Sequence, residues 1–201
     1  MSAGQSGMQS GPQQVLDFWF GASGSEGYGQ ARREWFVKKP AFDAAIRERF
    51  GALIDGAIQG GQRDWDEAGP QGVLARILLL DQFTRNVYRD TPAAFAGDAL
   101  ALAAAQGLVD AGADRHLLPV QRSFVYMPFE HAEDAFQQER AVELFSRLDA
   151  EHPGFESSLD YAHRHRGVIA RFGRFPHRNA ILGRVSTPDE IEFLRQPGSR
   201  F

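Results

Sequence analysis

Between His163 and Arg184 the chain sets six arginines and three histidines within 22 residues, and no lysine among them. Arginine keeps its charge in practice and presents a planar fork of donors, so this choice fits the gripping of carboxylates or phosphates at partly buried positions. Guanidinium groups at such density repel one another unless something negative answers them, either acidic side chains from elsewhere in the chain or a bound anion. Gly173 lets the backbone approach closely, Arg171, Arg174, His177 and Arg178 gather around the Pro176 turn, and Asn179 adds an amide donor. A phosphate- or carboxylate-binding pocket is expected there, joined by Arg85, Asn86 and Arg89. The competing account is a network in which the same arginines answer Asp81, Glu130, Glu133 and Asp160.

Two further segments are polar against an apolar background. In 81–89, Asp81 follows Leu78, Leu79 and Leu80 and precedes Phe83. A carboxylate so placed cannot be dry and charged without a partner, and an arginine of the 171–178 stretch is the expected one. In 126–134, Pro128 removes a backbone hydrogen bond just before Glu130 and His131, and Tyr126 lies one turn earlier. Glu130, His131 and His177 are the candidate acid–base groups, with His131 the natural proton carrier near neutral pH. Against this, Glu130, Glu133 and Asp134 could sit at a helix start, where acids favour the dipole. A metal site from Asp160, His163, His177 and Glu130 is disfavoured by spacing and by the surrounding arginines, so neither a metal nor a cofactor is expected. No Gly-rich phosphate loop, nucleophile elbow or dinucleotide fingerprint is present.

The elements that must position these groups read as helices. Pro12 opens a short apolar helix over Val15 to Phe20, and Phe42, Ile46, Phe50, Ile54 and Ile58 recur every four residues. A central helix is expected over 72–85. An alanine-rich helix over 93–106 should be halted by Gly107, and a helix from Pro119 broken or kinked at Pro128. The next should run from near His131 to about Leu148 with Phe136, Val142, Leu144 and Phe145 inward. Ser157 or Ser158 caps a helix that Gly173 closes, and Thr187-Pro188-Asp189-Glu190 is a capping box. No alternating strand is legible. The fold class is all-α, built from stacked antiparallel helical hairpins. One domain is expected over 13–201, after a disordered tail at 1–12.

At 201 residues and a net charge of −4 the chain is not a general nucleic-acid binder. With no cysteine it has no disulfide, thiolate nucleophile or sulfur-based zinc site. No secretion signal and no apolar run of about 20 residues is read, so a soluble, cytoplasmic protein without a membrane partner is expected.

The three polar segments, Asp81-Gln82-Phe83-Thr84-Arg85-Asn86-Val87-Tyr88-Arg89, Tyr126-Met127-Pro128-Phe129-Glu130-His131-Ala132-Glu133-Asp134 and Arg171-Phe172-Gly173-Arg174-Phe175-Pro176-His177-Arg178-Asn179, resemble the signatures of the bacterial family catalogued as domain of unknown function 924. Val15-Leu16-Asp17-Phe18-Trp19-Phe20-Gly21, Leu182-Gly183-Arg184 and Ser186-Thr187 also match, so the resemblance covers Val15 to Leu194. Thr84 stands where the family usually has proline and Ala132 where it usually has serine. The resemblance implies a tetratricopeptide-like superhelix and no assigned activity. Two functions are therefore expected to compete: a pocket for a small anionic ligand, lined by Arg, His and Glu, and a helical scaffold that binds a peptide or protein partner over a purely structural arginine network. Oligomeric state is open.

Overall fold

A computed structural model of the chain describes residues 11–200. Of the tail expected at 1–12, residues 1–10 lie outside the described residues, and Pro12 is already the first residue of helix α1, Pro12–Phe20. Proline suits that position because its fixed φ matches the helix and its missing N–H would have no partner there. The chain then runs through α2, Pro40–Ile58, and α3, Pro70–Ile77. Without a break, α3 widens into π-helix over Leu78–Phe83 and returns to α-helix as α4, Thr84–Val87. The remaining elements are α5 (Asp98–Asp110), α6 (Pro119–His131), α7 (Ala135–Glu151), α8 (Glu156–Phe172) and α9 (Pro188–Leu194). Among the described residues there is no strand.

The core forms where the apolar faces meet. α3 packs against α1, α5 and α6, while α6, α7 and α8 pack in succession. Trp19, Phe20, Phe50, Phe83, Phe124, Phe129 and Phe145 are fully buried among them. The loop after α1 is bolted back onto it: Arg32 Nη1 donates to the Phe18 carbonyl at 2.8 Å, Trp35 Nε1 donates to the Trp19 carbonyl at 3.1 Å, and the Trp19 and Trp35 rings stack at 5.8 Å. That fixes Trp35 against α1 and sets both it and its neighbour Phe36 in ring contact with Phe124.

Several boundaries differ from the sequence reading for physical reasons. The helix expected over 93–106 is a 3-10 turn at Pro92–Phe95 followed by α5, with Gly107 inside it. The break falls at Gly97, where a Cβ would stand 2.2 Å from the Leu80 carbonyl oxygen. Close passage against the wide turn therefore requires glycine. By length and composition alone Pro92–Asp110 could cross a membrane. Here, however, α5 buries Ala101, Ala104, Ala105 and Leu108 in the core.

Pro128 does not end α6, which continues one turn further to His131. The buried Gln138 of α7 supports that end: its Nε2 donates to the carbonyls of Glu130 (2.6 Å) and Ala132 (2.7 Å). α7 starts at Ala135 because Asp134 caps it, accepting from the Gln137 N–H at 2.9 Å. Phe136 points outward at 65% exposure, while Leu144 and Phe145 are buried as expected.

Candidate functional site

A recess of about 500 Å³ opens where the π-helical turn, the end of α6 and the start of α8 converge under Trp35 and Phe36. Its polar lining comes from Gln82, Arg85, Asn86, Arg89, Glu130, His131, Ser157, Ser158, Tyr161 and His165. Trp35, Phe36, Met127 and Phe145 supply apolar wall. The wide turn matters here. An ordinary α-helix repeats its faces every 3.6 residues, whereas a π-turn shifts the residues that follow relative to those before, and such turns recur at functional positions. It lets one continuous helix bury Leu78, Leu79 and Leu80 while Gln82, Arg85 and Asn86, with Arg89 in the turn just beyond, line the recess.

Behind the lining stands Asp81, fully buried. Its Oδ1 lies 2.7 Å from His131 Nδ1 and 3.2 Å from Arg85 Nη1, and Gln82 Nε2 donates to Oδ2 at 2.5 Å. Burial opposes the charge on Asp81, but Arg85 and His131 outweigh it and hold the carboxyl well below the usual carboxylate range. The partner expected from the 171–178 stretch is therefore local instead, one helical turn away, plus an imidazole from α6. Arg85 also forks onto Asp98 at 2.8 and 3.0 Å. Burial and the Arg85 charge lower the pKa of His131 against the pull of Asp81. The imidazole is thus neutral near pH 7, with Nδ1–H donated to Asp81 and the Nε2 lone pair unprotonated.

Glu130, the preceding residue, behaves oppositely. Burial, reinforced by the negative charge of Asp81, pushes its carboxyl up to about 8, so it carries a proton near pH 7. His165 of α8 places Nδ1 within 3.0 Å of Glu130 Oε1 and 2.9 Å of the Tyr161 carbonyl. Burial first, then neighbouring cationic groups, hold His165 down to about 3. A neutral acid, a neutral base and two guanidinium groups therefore share one recess, while the carboxylates that steady the guanidiniums are not part of its lining. Arg89 is held by Asp43 at 2.7 and 2.9 Å, and Asn86 Nδ2 donates to the same carboxylate at 2.8 Å.

Of the residues singled out from sequence, Glu130, His131, Arg85, Asn86 and Arg89 come together here. The others lie elsewhere. Tyr126 is fully buried on another face of α6, its hydroxyl donating to Asp114 at 2.5 Å and accepting from Arg122 Nε at 3.1 Å. Arg171 is exposed and lies over the rings of Phe172 and Phe193. Arg174 forks onto Glu190 at 2.7 and 2.8 Å, and Asn179 donates to Ser186 and Glu190. Arg178 is buried between the rings of Phe95 and Phe175, donating to Asp98 at 3.3 Å and to the His131 carbonyl at 3.0 Å. His177 sits with Arg178 on a 3-10 turn, Pro176–Arg178, 5.7 Å from the Phe175 ring and outside the lining of the recess, and burial holds it down to about 4. Glu133 accepts from the Phe175 N–H at 2.7 Å and from Arg184 at 2.6 and 2.9 Å. The 171–184 arm thus braces the end of α6 from behind.

Sequence reasoning passed over His165, although a signal was present: Ala162, His165, Ile169 and Phe172 share one helical face, on which His165 is buried while His163 is exposed. Ser157 and Ser158, read as caps, line the recess instead, since Phe155 occupies the cap position. Trp35 and Phe36 arrive from a loop, and no periodicity could have placed them there.

Fold and site together define an all-helical protein with a half-open recess in which an Asp–His pair and a protonated carboxyl meet two arginines. The chain belongs to the family described as bacterial protein of unknown function (DUF924), whose model matches residues 15–198. It is similar to a solved structure, that of the protein of unknown function ATU0120 from Agrobacterium tumefaciens. The two share 38% identity at a TM-score of 0.78 over 91% of this chain and 96% of that one. No curated protein matches.

Proposed function

We propose that the recess binds a small organic anion, a carboxylate or phosphate ester with an apolar body. The observation that carries this reading is the charge of the lining. Arg85 and Arg89 are its ionised groups near pH 7, since Glu130 is protonated and His131 and His165 are neutral. Asn86, Gln82, Ser157 and Ser158 add polar groups able to donate, and Trp35, Phe36, Met127 and Phe145 suit a non-polar body. Residues from the sequence reading that line this recess are Arg85, Asn86, Arg89, Glu130 and His131, of which Arg85, Asn86 and Arg89 supply the donors to the anion.

Thermal-shift and calorimetric titration with inorganic phosphate, benzoate and phenyl phosphate tests this. An anion at about 100 times its Kd stabilises by ~2.7 kcal/mol, which scanning resolves readily. Arg89→Gln should weaken binding while Arg174→Gln, on the C-terminal arm, leaves it unchanged. No stabilisation by any of these anions at millimolar concentration, or the reverse pattern in the two variants, overturns the reading. A second reading, a tetratricopeptide-like scaffold for a peptide partner, draws support from the successive packing of α6, α7 and α8 and from the carboxylates that already answer Arg174, Arg178 and Arg184.

A further inference from the structure

Holding an anion requires the arginines and amides of the recess. It does not require a buried carboxylic acid beside an imidazole whose Nδ1 is fixed by a second, fully buried carboxylate. Burying Asp81, Glu130 and His131 together is unfavourable unless each is specifically supported. The fold supplies that support: Gln138 holds the backbone of Glu130 and Ala132, Arg178 holds the carbonyl of His131, and Asp81 holds its ring. The Glu130 and His131 side chains so positioned line the cavity, with Asp81 buried against His131.

We propose that the recess, resting on the anion-binding reading above, catalyses proton transfer on a small 2-oxo acid: His131 removes a proton from the carbon next to the carbonyl, and Glu130 gives one to the carbonyl oxygen. The C–H bond breaks and its electron pair becomes the C=C bond of the enol. The carbonyl π pair takes the proton from Glu130, which becomes a carboxylate, while His131 becomes an imidazolium. Reversal restores the ketone, with a solvent-derived hydrogen on carbon once His131 has exchanged its proton. No oxidant, reductant or further reactant enters.

Each partner has its support in place. The nascent imidazolium faces Asp81 at 2.7 Å, and the nascent Glu130 carboxylate lies 3.0 Å from His165 Nδ1. Arg85 and Arg89 hold the substrate's own carboxylate and steady the developing enolate. The opposed protonation states of Glu130 and His131, acid neutral and base neutral near pH 7, are those such a step needs. Acyl transfer through a nucleophile fits less well. The chain has no cysteine, and among the described residues no hydrogen bond joins Ser157 or Ser158 to His131.

The test uses the whole protein in D2O with pyruvate, phenylpyruvate and 2-oxoglutarate. Calorimetry reads binding, and proton NMR reads loss of the C3 signal. At least one acid should bind and exchange at least about 10-fold faster than in protein-free buffer, and His131→Asn should lose about 100-fold or more of that rate while still binding. Asparagine can place an amide N–H where Nδ1–H meets Asp81, and Glu130→Gln, isosteric with the neutral acid, should behave alike. Binding without exchange in the native protein, or exchange undiminished in His131→Asn, overturns the proposal and leaves anion binding standing. Binding of phosphate or benzoate but of no oxo acid also overturns it, whereas failure of every anion to bind removes both.

Discussion

The chain has two arginine-rich regions, and they do opposite things with the same side chain. On the C-terminal arm each strong guanidinium contact is internal: Arg174 ends on Glu190, Arg178 on Asp98 and the His131 carbonyl, and Arg184 on Glu133. In the recess Arg85 and Arg89 are also tethered to carboxylates, but those carboxylates are not part of the lining and each arginine still contributes to the cavity surface. The arm therefore resembles a clasp and the recess a mouth. Arginine density locates neither by itself. What separates them is whether the guanidinium, once answered by its carboxylate, still lines a cavity.

Deleting the carboxylate behind the mouth is the severest way to break this contrast. Asp81→Ala leaves Arg85 short of one partner and His131 without its orienting acceptor in a fully buried position, and should cost about 3–5 kcal/mol by urea unfolding. Arg178→Ala on the clasp should cost less, about 2–3 kcal/mol, because Asp98 keeps Arg85 and the main loss is a charged hydrogen bond to the His131 carbonyl. A folded Arg178→Ala protein should bind anions more weakly, because Arg178 also donates to Asp98, the carboxylate onto which Arg85 forks. Unaltered affinity would show the clasp and the mouth to be independent.

Much of the fold was legible because local rules decide it. Pro12, Pro40 and Pro119 open helices, Gly173 closes α8 in the left-handed region at φ 68°, and Thr187 with Glu190 forms the capping box at α9. The site was legible only in its polar segments. Asp81 visibly needed a partner, yet which one depended on a widened helical turn that apolar periodicity does not reveal. Arg174, Arg178 and Asn179 carry the chemistry of an anion pocket in their residue types, but Glu190 and Asp98 reach them from distant positions and occupy them. Gly97 escaped notice because its reason is a close approach to Leu80, a contact between segments.

A gentler comparison uses pH. Glu130 has its folded pKa raised to about 8 from 4.5, so between those values the folded state binds a proton that the unfolded chain does not. Stability through this group is fully present below the unfolded pKa and declines as pH rises toward 8. His131, His165 and His177 are shifted the other way, and their contribution is complete only about one unit above the unfolded value of 6.5 and falls as pH drops through it. Above about pH 7.5 those histidines are neutral in both states, so the window from about pH 7.5 to 9 isolates Glu130 among these four, and the native protein should lose ~1 kcal/mol across it. Glu130→Gln should flatten that slope. A slope that persists in the variant would place the titrating group elsewhere than the mouth.

The smallest expected effect marks where arginine stops mattering. Arg166 meets Glu139 at 3.0 Å, but the two side chains are 37% and 61% exposed. Such a pair gains little in high dielectric and loses side-chain entropy, so Arg166→Ala should change unfolding free energy by about 0.5 kcal/mol or less and leave anion binding untouched. It lies in the same basic run as Arg178 and differs from it chiefly in burial. A loss comparable to that of Arg178→Ala would mean that the run acts as one cooperative unit rather than as a clasp built from a few buried members.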